Sequence, residues 1–332
     1  MSSASAIGVL VPSSDAAPEL PPEARPIGRA ALHLQQQGID IVFGDTVIEG
    51  RMHGFRAVQG GWKRAINVPI VAAHDRFPSQ LRASQFADIQ AGLGTLPMGN
   101  SHAFTMLCRD KLRTQEVFGD RGIGMPPVCA DPDSFEDQLM AWGSAFIKPR
   151  YGALGVGIKH VRPGDSLPAQ SPGIVPERPD PSLLQQAISP PKGWASRTVR
   201  VLMQRAVDGN WIHGVPVVRQ SRHDPVANAA RGAEVAAGTA VLDESVLVEI
   251  HRLMDRIGQA IDSIKGSQWA LEAGADLVLD SEYKPWLIEL NSRPRGRMEV
   301  LADRQPEKFE ASHIAACCRP IQRLIALTKQ ES

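Results

Sequence analysis

Apolar and polar positions alternate most clearly near the end of the chain, in two runs that flank Asp280–Lys284. The pattern predicts two strands joined by a short turn. Side chains point to opposite faces along a strand, so Leu277, Leu279, Trp286, Ile288 and Leu290 share one apolar face, and Asp276, Glu289 and Asn291 share the other. If Asp280 pairs with Pro285, Asp276 falls opposite Glu289, with Cβ atoms about 4.5–5.5 Å apart. Two carboxylates that close repel unless a cation lies between them. Oxygen donors of Asp, Glu and Asn suit a hard divalent ion such as Mg²⁺. An ordinary hairpin whose acids meet water at different heights has the same pattern, and the segment alone leaves both readings open.

Elsewhere the periodicity predicts a mixed α/β chain. Residues 6–11 form a short apolar strand. Pro26–Gln37 reads as a helix with proline in its first turn and Gly38 at its end, and Ile39–Phe43 as a second strand. This β-α-β start suggests a small parallel sheet. Phe55–Val58 and Trp62–Ile66 flank Gly60-Gly61 as a hairpin. Val68–Ala72 then runs into His74-Asp75-Arg76, polar residues at a strand end, where open α/β sheets place ligand crevices. One helix is expected from Asn100 or Ser101 to about Arg121, closed by Gly122. Ser144–Pro149 is a strand that ends at a lysine, and the proline-rich segment 162–182 is a loop. Leu183–Ile188, Val199–Val207 and Trp211–Val218 read as strands. Asp243 caps a long helix with an apolar stripe from Leu247 to Ile264, and a last helix at about 307–328 is expected to kink or break at Pro320.

Composition narrows the function classes. Lys+Arg and Asp+Glu both number 36 in 332 residues, so no global field favours nucleic acid or a membrane surface. No apolar run is long enough to span a bilayer, and the first residues lack the basic and apolar regions of a signal peptide. The four cysteines, at 108, 129, 317 and 318, have neither disulfide-framework nor metal-ligand spacing and read as small residues in a reducing cytoplasm.

A second chemical signal lies at Lys148–Ile158, where a strand-terminal lysine is followed by Gly152, Gly155 and Gly157. Glycines let backbone N–H groups approach an anion, and the lysine adds a point charge. Ile158 stands where a P-loop needs its lysine, and no dinucleotide fingerprint follows. Alone, the segment is also compatible with a plain glycine-rich hairpin.

A strand–lysine–glycine loop followed some 130 residues later by an Asp…Glu-x-Asn hairpin resembles the ATP-grasp superfamily. Asp110-Lys111, Leu184–Ile188, Arg200, Arg219 and the loop with Asn228, Ala230, Arg231 and Gly232 fall in the family's order. Val68–Val71 with Asp75-Arg76, Asn100, Gly209-Asn210-Trp211 and Ile288–Pro294 narrow the resemblance to the YheC/YheD-like, spore-coat-associated branch, over roughly residues 7–310. Two departures stand out. No acid lies between Ile188 and Arg197 to hold ribose hydroxyls, and Thr198 stands where the branch commonly has Asp. The post-Asn loop is also basic, with Arg293, Arg295 and Arg297.

The resemblance implies an ATP-grasp fold with an N-terminal, Rossmann-like α/β domain at 6–99, a connecting helix at 100–122, a lid at 123–188 hinged near Gln186, and a catalytic subdomain at 189–330. It implies ATP bound by Lys111, Lys148, Gly152, Gly155, Gly157, Gln185, Gln186 and Ile188. One or two Mg²⁺ (or Mn²⁺) would sit on Asp276, Glu289 and Asn291. Arg200, Arg219 and Arg293 would bind the transferring phosphate or the acyl carboxylate, as forked donors suit. The implied activity is an ADP-forming carboxylate–amine ligase acting on small-molecule or peptide substrates through an acyl phosphate, in the cytoplasm. A small-molecule kinase and an ATP-binding assembly protein without turnover are the alternatives.

Overall fold

The N-terminal apolar segments pair into a sheet that nearly closes on itself. Strands β1 (Ala6–Leu10), β2 (Ile41–Ile48), β3 (Arg51–Val58), β4 (Gly61–Asp75) and β5 (Met98–Gly99) lie in that order, with α1 (Arg25–Gln36) and α2 (Arg82–Leu93) between them in sequence. Strand β1 runs parallel to both β2 and β4, while β3 pairs antiparallel with both β2 and β4. Closure is possible because β4 is long: residues 61–69 serve β3 and residues 70–75 serve β1. The computed structural model describes residues 6–12, 24–77, 82–152, 155–173, 179–227, 232–294 and 298–330.

Two helices follow, α3 (His102–Arg109) and α4 (Lys111–Gly119), where the sequence predicted one. Asp110 makes the break. Its backbone is extended, and its carboxylate accepts hydrogen bonds from Leu112 N and Arg113 N, so it caps a new helix instead of continuing the old one. Lys111 thereby becomes the first residue of α4. Gly122 does close the segment, in the left-handed region at φ 70°.

A second sheet runs β6 (Val128–Cys129), β10 (Asp180–Gln186), β7 (Ala145–Pro149), β8 (Lys159–Val161), with β9 (Gln170–Ser171) beside β10 and α5 (Phe135–Trp142) packed on the sheet. The segment expected as one loop at 162–182 contains β9 and the start of β10. The pair sets Asp180 opposite Ser171, and Ser182 Oγ meets Ser171 Oγ beside it at 2.8 Å.

The third sheet holds the largest core. Its order is β14 (Glu234–Ala237), β13 (Val217–Ser221), β11 (Ser196–Arg205), β15 (Glu272–Leu279), β16 (Pro285–Asn291), with β12 (Trp211–His213) on the far end of β11. The short helix α6 (Gly238–Val241) leads into α7 (Glu244–Asp262). Ile250, Leu253, Met254, Ile257 and Ile261 of α7 pack on Val199, Val201, Ala275, Leu277, Leu287 and Leu290 of the sheet. The remaining helices are α8 (Met298–Arg304) and α9 (Pro306–Gln330).

Two expectations fail here for local reasons. Helix α9 continues through Pro320 without a break. Proline cannot bond the carbonyl four residues back, but Gln204 Nε2 donates to that Ala316 oxygen at 2.7 Å and supplies the missing donor. In the β15–β16 hairpin, Leu279 rather than Asp280 pairs with Pro285, and a bulge at Ile288 shifts the register by one. Leu287 and Leu290 therefore reach the core, while Trp286 and Ile288 do not. The bulge restores the Asp276–Glu289 pairing that the simpler register also placed there. Asp280 holds the turn, accepting from Glu282 N, Lys284 N and Trp286 Nε1 at 2.9–3.0 Å.

The first and third sheets are joined by buried polar side chains. Asn100 accepts from Leu271 N at 2.6 Å and Glu272 N at 3.2 Å, and donates to the Glu272 and Ser292 carbonyls. Glu272 meets Arg76, His74 Nε2 and Gln204 Nε2. His74 and Arg76, expected at a crevice-forming strand end, are thus locked between sheets, at 0% and 3% exposure.

Candidate active site

A cleft of about 950 Å³ opens between the second and third sheets. From one side come Lys111 at the start of α4, Lys148 on β7 and the glycine loop. Gln185, Gln186 and Ile188 come from the end of β10. From the other side come Arg200, Arg219, Asp276, Glu289, Asn291 and Arg293. The residues expected to bind nucleotide, metal or the transferring group line this one space, except Gly157.

Gly157 is not part of the lining. It lies at φ 73°, and a Cβ there would sit 2.7 Å from the Pro172 carbonyl oxygen. Gly155 also has positive φ, at 75°. Ala153 and Leu154 between them lie outside the described residues, as do Asn228, Ala230, Arg231, Arg295 and Arg297.

The two lysines are held by neutral oxygens. Lys111 Nζ donates to the Gly152 carbonyl, and Lys148 Nζ donates to Gln185 Oε1 at 2.7 Å. Burial pushes both ammonium groups down; Lys148, beside Lys111, falls to about 7. Arg150, next after β7, forks onto Asp110 at 2.8 and 2.7 Å, which ties the strand end to the cap of α4. This pair fixes Lys111 relative to Lys148. Sequence spacing gave no sign of it, because the partners are 40 residues apart.

Opposite them, the cross-strand register places Arg200 on β11 directly across from Asp276 on β15. Arg200 Nε donates to Asp276 Oδ1 at 2.6 Å, and its Nη2 donates to Oδ2. Arg219 Nη2 adds a bond to Oδ1 at 2.8 Å, and Asn291 Nδ2 one to Oδ2 at 3.1 Å. Gly274, beside this arrangement, lets Pro294 approach, since a Cβ there would lie 2.9 Å from the Pro294 Cβ. Burial alone would raise the Asp276 carboxyl, but Arg200 and then Arg219 outweigh it and hold it at about 2.

A divalent ion finds suitable chemistry here but unequal access. Asp276, Glu289 and Asn291 offer hard oxygens within one patch. All four lone-pair positions of Asp276 are used by donors, whereas the Glu289 carboxylate takes one long bond from Asn291 Nδ2, at 3.5 Å, and adjoins Asp276 itself. A half-turn of the Asn291 amide would present its oxygen at the same place. Glu289 and Asn291 are therefore the donors with capacity, with Asp276 as the third. Among the described residues, no group of three or more His, Cys, Asp or Glu side chains is placed to hold a metal by itself.

Arg293 stands apart from the other two arginines. It donates to the Phe77 carbonyl at the end of the first sheet. The cleft wall also includes Thr105, Tyr151, His160, Trp194 and His223, which no motif flagged.

Residues 175–314 match the family model described as YheC/D-like ATP-grasp. Over this region the chain is similar to YheC/D-like ATP-grasp proteins. Solved structures extend the likeness in fold to the whole chain. D-alanine–D-alanine ligase from Bacillus anthracis superposes with a TM-score of 0.62 at 15% identity, covering 99% of this chain and 100% of that one. The VanG D-Ala:D-Ser ligase from Enterococcus faecalis gives 0.61 at 14%, covering 96% and 99%. N5-carboxyaminoimidazole ribonucleotide synthetase from Thermotoga maritima gives 0.50 at 10%, covering 87% and 68%. No curated protein matches the sequence. The family match begins at residue 175 and does not include Lys111, Lys148 or the glycine loop. No helix among the described residues is long and apolar enough to cross a membrane.

Proposed function

We propose that the cleft binds ATP with Mg²⁺ and joins a carboxylate to an amine, releasing ADP and phosphate. The observation that carries this reading is the facing of two surfaces across one space: buried Lys111 and Lys148 against Arg200, Arg219, Asp276, Glu289 and Asn291. Cations that close need a polyanion, and the hard oxygens beside them suit the divalent ion that accompanies a nucleotide. The fold is shared with proteins named as amino-acid ligases.

In this mechanism the substrate carboxylate oxygen attacks the γ-phosphorus, and ADP leaves. The amine then attacks the acyl carbon, phosphate leaves, and an amide bond forms. No protein nucleophile is required. Lys111 and Lys148 offset charge on the phosphates, and Arg200 and Arg219 present forked N–H donors to the transferring group. Bound Mg²⁺, held by Glu289 and Asn291 with Asp276, would polarise the phosphate oxygens. Arg293 is assigned to the acyl carboxylate. Gln186 and Ile188 border the base. The loop from Gly152 to Gly157 covers the phosphates and excludes the water that would hydrolyse an acyl phosphate.

We assign residues 6–99, 100–122, 123–188 and 189–330 to an N-terminal domain, a connecting segment, a lid and a catalytic subdomain. The second sheet shares no strand pairing with the other two among the described residues, which suits a lid that moves as a unit. The substrates are taken to be small-molecule or peptide carboxylates and amines, in the cytoplasm, where the four free thiols would stay reduced.

ADP release, screened against carboxylates with and without amines, tests the proposal. Turnover that needs both partners supports a ligase. Turnover with a single acceptor replaces it with a kinase, and ATP binding without turnover replaces it with a structural role. Glu289→Gln is expected to abolish metal-dependent turnover with little change in melting temperature. Undiminished activity in that variant would remove Glu289 from the metal site.

A further inference from the structure

We infer that Gln185 is a positioning residue that holds Lys148 in the cleft without giving it a counter-charge, so that nucleotide binding is accompanied by proton uptake at Lys148. This rests on the nucleotide reading above and concerns a feature that reading does not require. Lys148 is 3% exposed and Gln185 is 5% exposed. The two strands pair Leu183 with Lys148, which puts Gln185 two residues along on the same face. An amine at this position donates its N–H, so the amide oxygen must be the atom that faces it.

The groups around Lys148 do not supply the missing charge. From β10 comes the neutral amide of Gln185. From α4 comes a second cation, Lys111, itself held by a carbonyl. From β8 come His160 and Lys159, neither an acid. From β16 comes Glu289, among the described residues the one carboxylate whose field favours the charged lysine. Burial dominates and Lys111 adds to it, which leaves the side chain at about 7. A buried amine without a paired anion sheds its proton, because an uncompensated charge in low dielectric is costly. A phosphate brought against Nζ reverses that balance. A glutamate at position 185 would have supplied the charge permanently.

The test is calorimetric titration of the full-length protein with Mg-ADP, in buffers of different ionisation enthalpy. At pH 8 a lysine that titrates near 7 takes up about nine-tenths of a proton per nucleotide, and at pH 6 about one-tenth. Gln185→Glu is expected to bring the pH 8 uptake below about two-tenths, because its carboxylate keeps Lys148 charged beforehand. Gln185→Met, which neither charges nor holds the lysine, is expected to keep the uptake while weakening binding roughly 10-fold, the loss of one hydrogen bond to a charged group. That pair of results supports the inference. Uptake that survives in Gln185→Glu overturns it and points to His160. Heat that is independent of buffer in the wild type overturns it while the nucleotide reading stands. No binding of either ADP or ATP overturns both.

Discussion

Asp276 makes the sharpest prediction, because the structure gives it two roles that can be separated. As an acceptor it takes donors from Arg200, Arg219 and Asn291 while only 5% exposed. Asp276→Asn keeps the shape and removes the charge, leaving two guanidinium groups, each 13% exposed at its side chain, without their carboxylate. Breaking a buried ion pair from one side costs about 3–5 kcal/mol. With about 2.1 cal/mol/K of unfolding entropy per residue over 332 residues, that loss lowers the melting temperature by about 4–7 °C. The pH dependence gives an independent estimate. The folded-state value is held at about 2 against an ordinary 3.8, so the charged form contributes about 2 kcal/mol. A depressed carboxylate contributes fully above its unfolded value and loses the contribution as pH falls through its folded one. The gap between wild type and variant should therefore be constant above about pH 5 and shrink between about pH 4 and pH 2. Melting curves of both proteins across that range measure it. Inorganic triphosphate should also stabilise Asp276→Asn more than wild type, because it supplies an anion to the released arginines. Equal melting temperatures at pH 7, or a gap that does not change in acid, would refute the clamp and leave Asp276 as a metal donor only.

Two further outcomes follow from the packing. Gln204→Leu leaves the Ala316 carbonyl unpaired beneath Pro320, removes a donor from Glu272 and an acceptor from Arg319, and should cost at least about 1–3 kcal/mol. Pro320→Ala in that background restores an N–H to the same oxygen and should recover part of the loss, as a double-mutant cycle of urea melts would show. Gly157→Ala forces a left-handed alanine against the Pro172 carbonyl, about 1–3 kcal/mol of local strain. The expected readout is a 5- to 100-fold rise in the ATP concentration needed for half-maximal turnover, with an unchanged melting temperature for the third sheet and α7.

Much of the site was legible in the sequence because its signals are local. Lys148 ends a strand and precedes three glycines, and Asp276, Glu289 and Asn291 alternate on a hairpin, so each half can be read from a short window. The partners that fix those residues are not local. Asp110 reaches Arg150, Arg200 reaches Asp276 over 76 residues, and Gln204 reaches a carbonyl over 112. No periodicity encodes such pairings. The same limit explains the failures in the fold. Asp110 ended a helix because an N-cap competes with continuation, and Pro320 did not end one because a distant amide satisfied the orphaned carbonyl. Both outcomes turn on a single hydrogen-bond donor or acceptor, which an apolar stripe does not report.

The arginine pairing also changes how the hairpin itself is understood. Opposed carboxylates first suggested a metal, since only a cation relieves their repulsion. The structure supplies cations of its own, and they sit on Asp276, 7% exposed at its side chain, rather than on Glu289. The two acids are therefore unequal before any ligand arrives. Asp276 orders two forked donors on neighbouring strands, and Glu289 keeps its oxygens. A triphosphate with its metal would draw on both, taking arginine donors from one and oxygen donors from the other. The strands β11, β13, β15 and β16, packed on α7, keep these groups in register, so the proposed selectivity of the cleft for a polyanion with a divalent ion would be set first by sheet pairing.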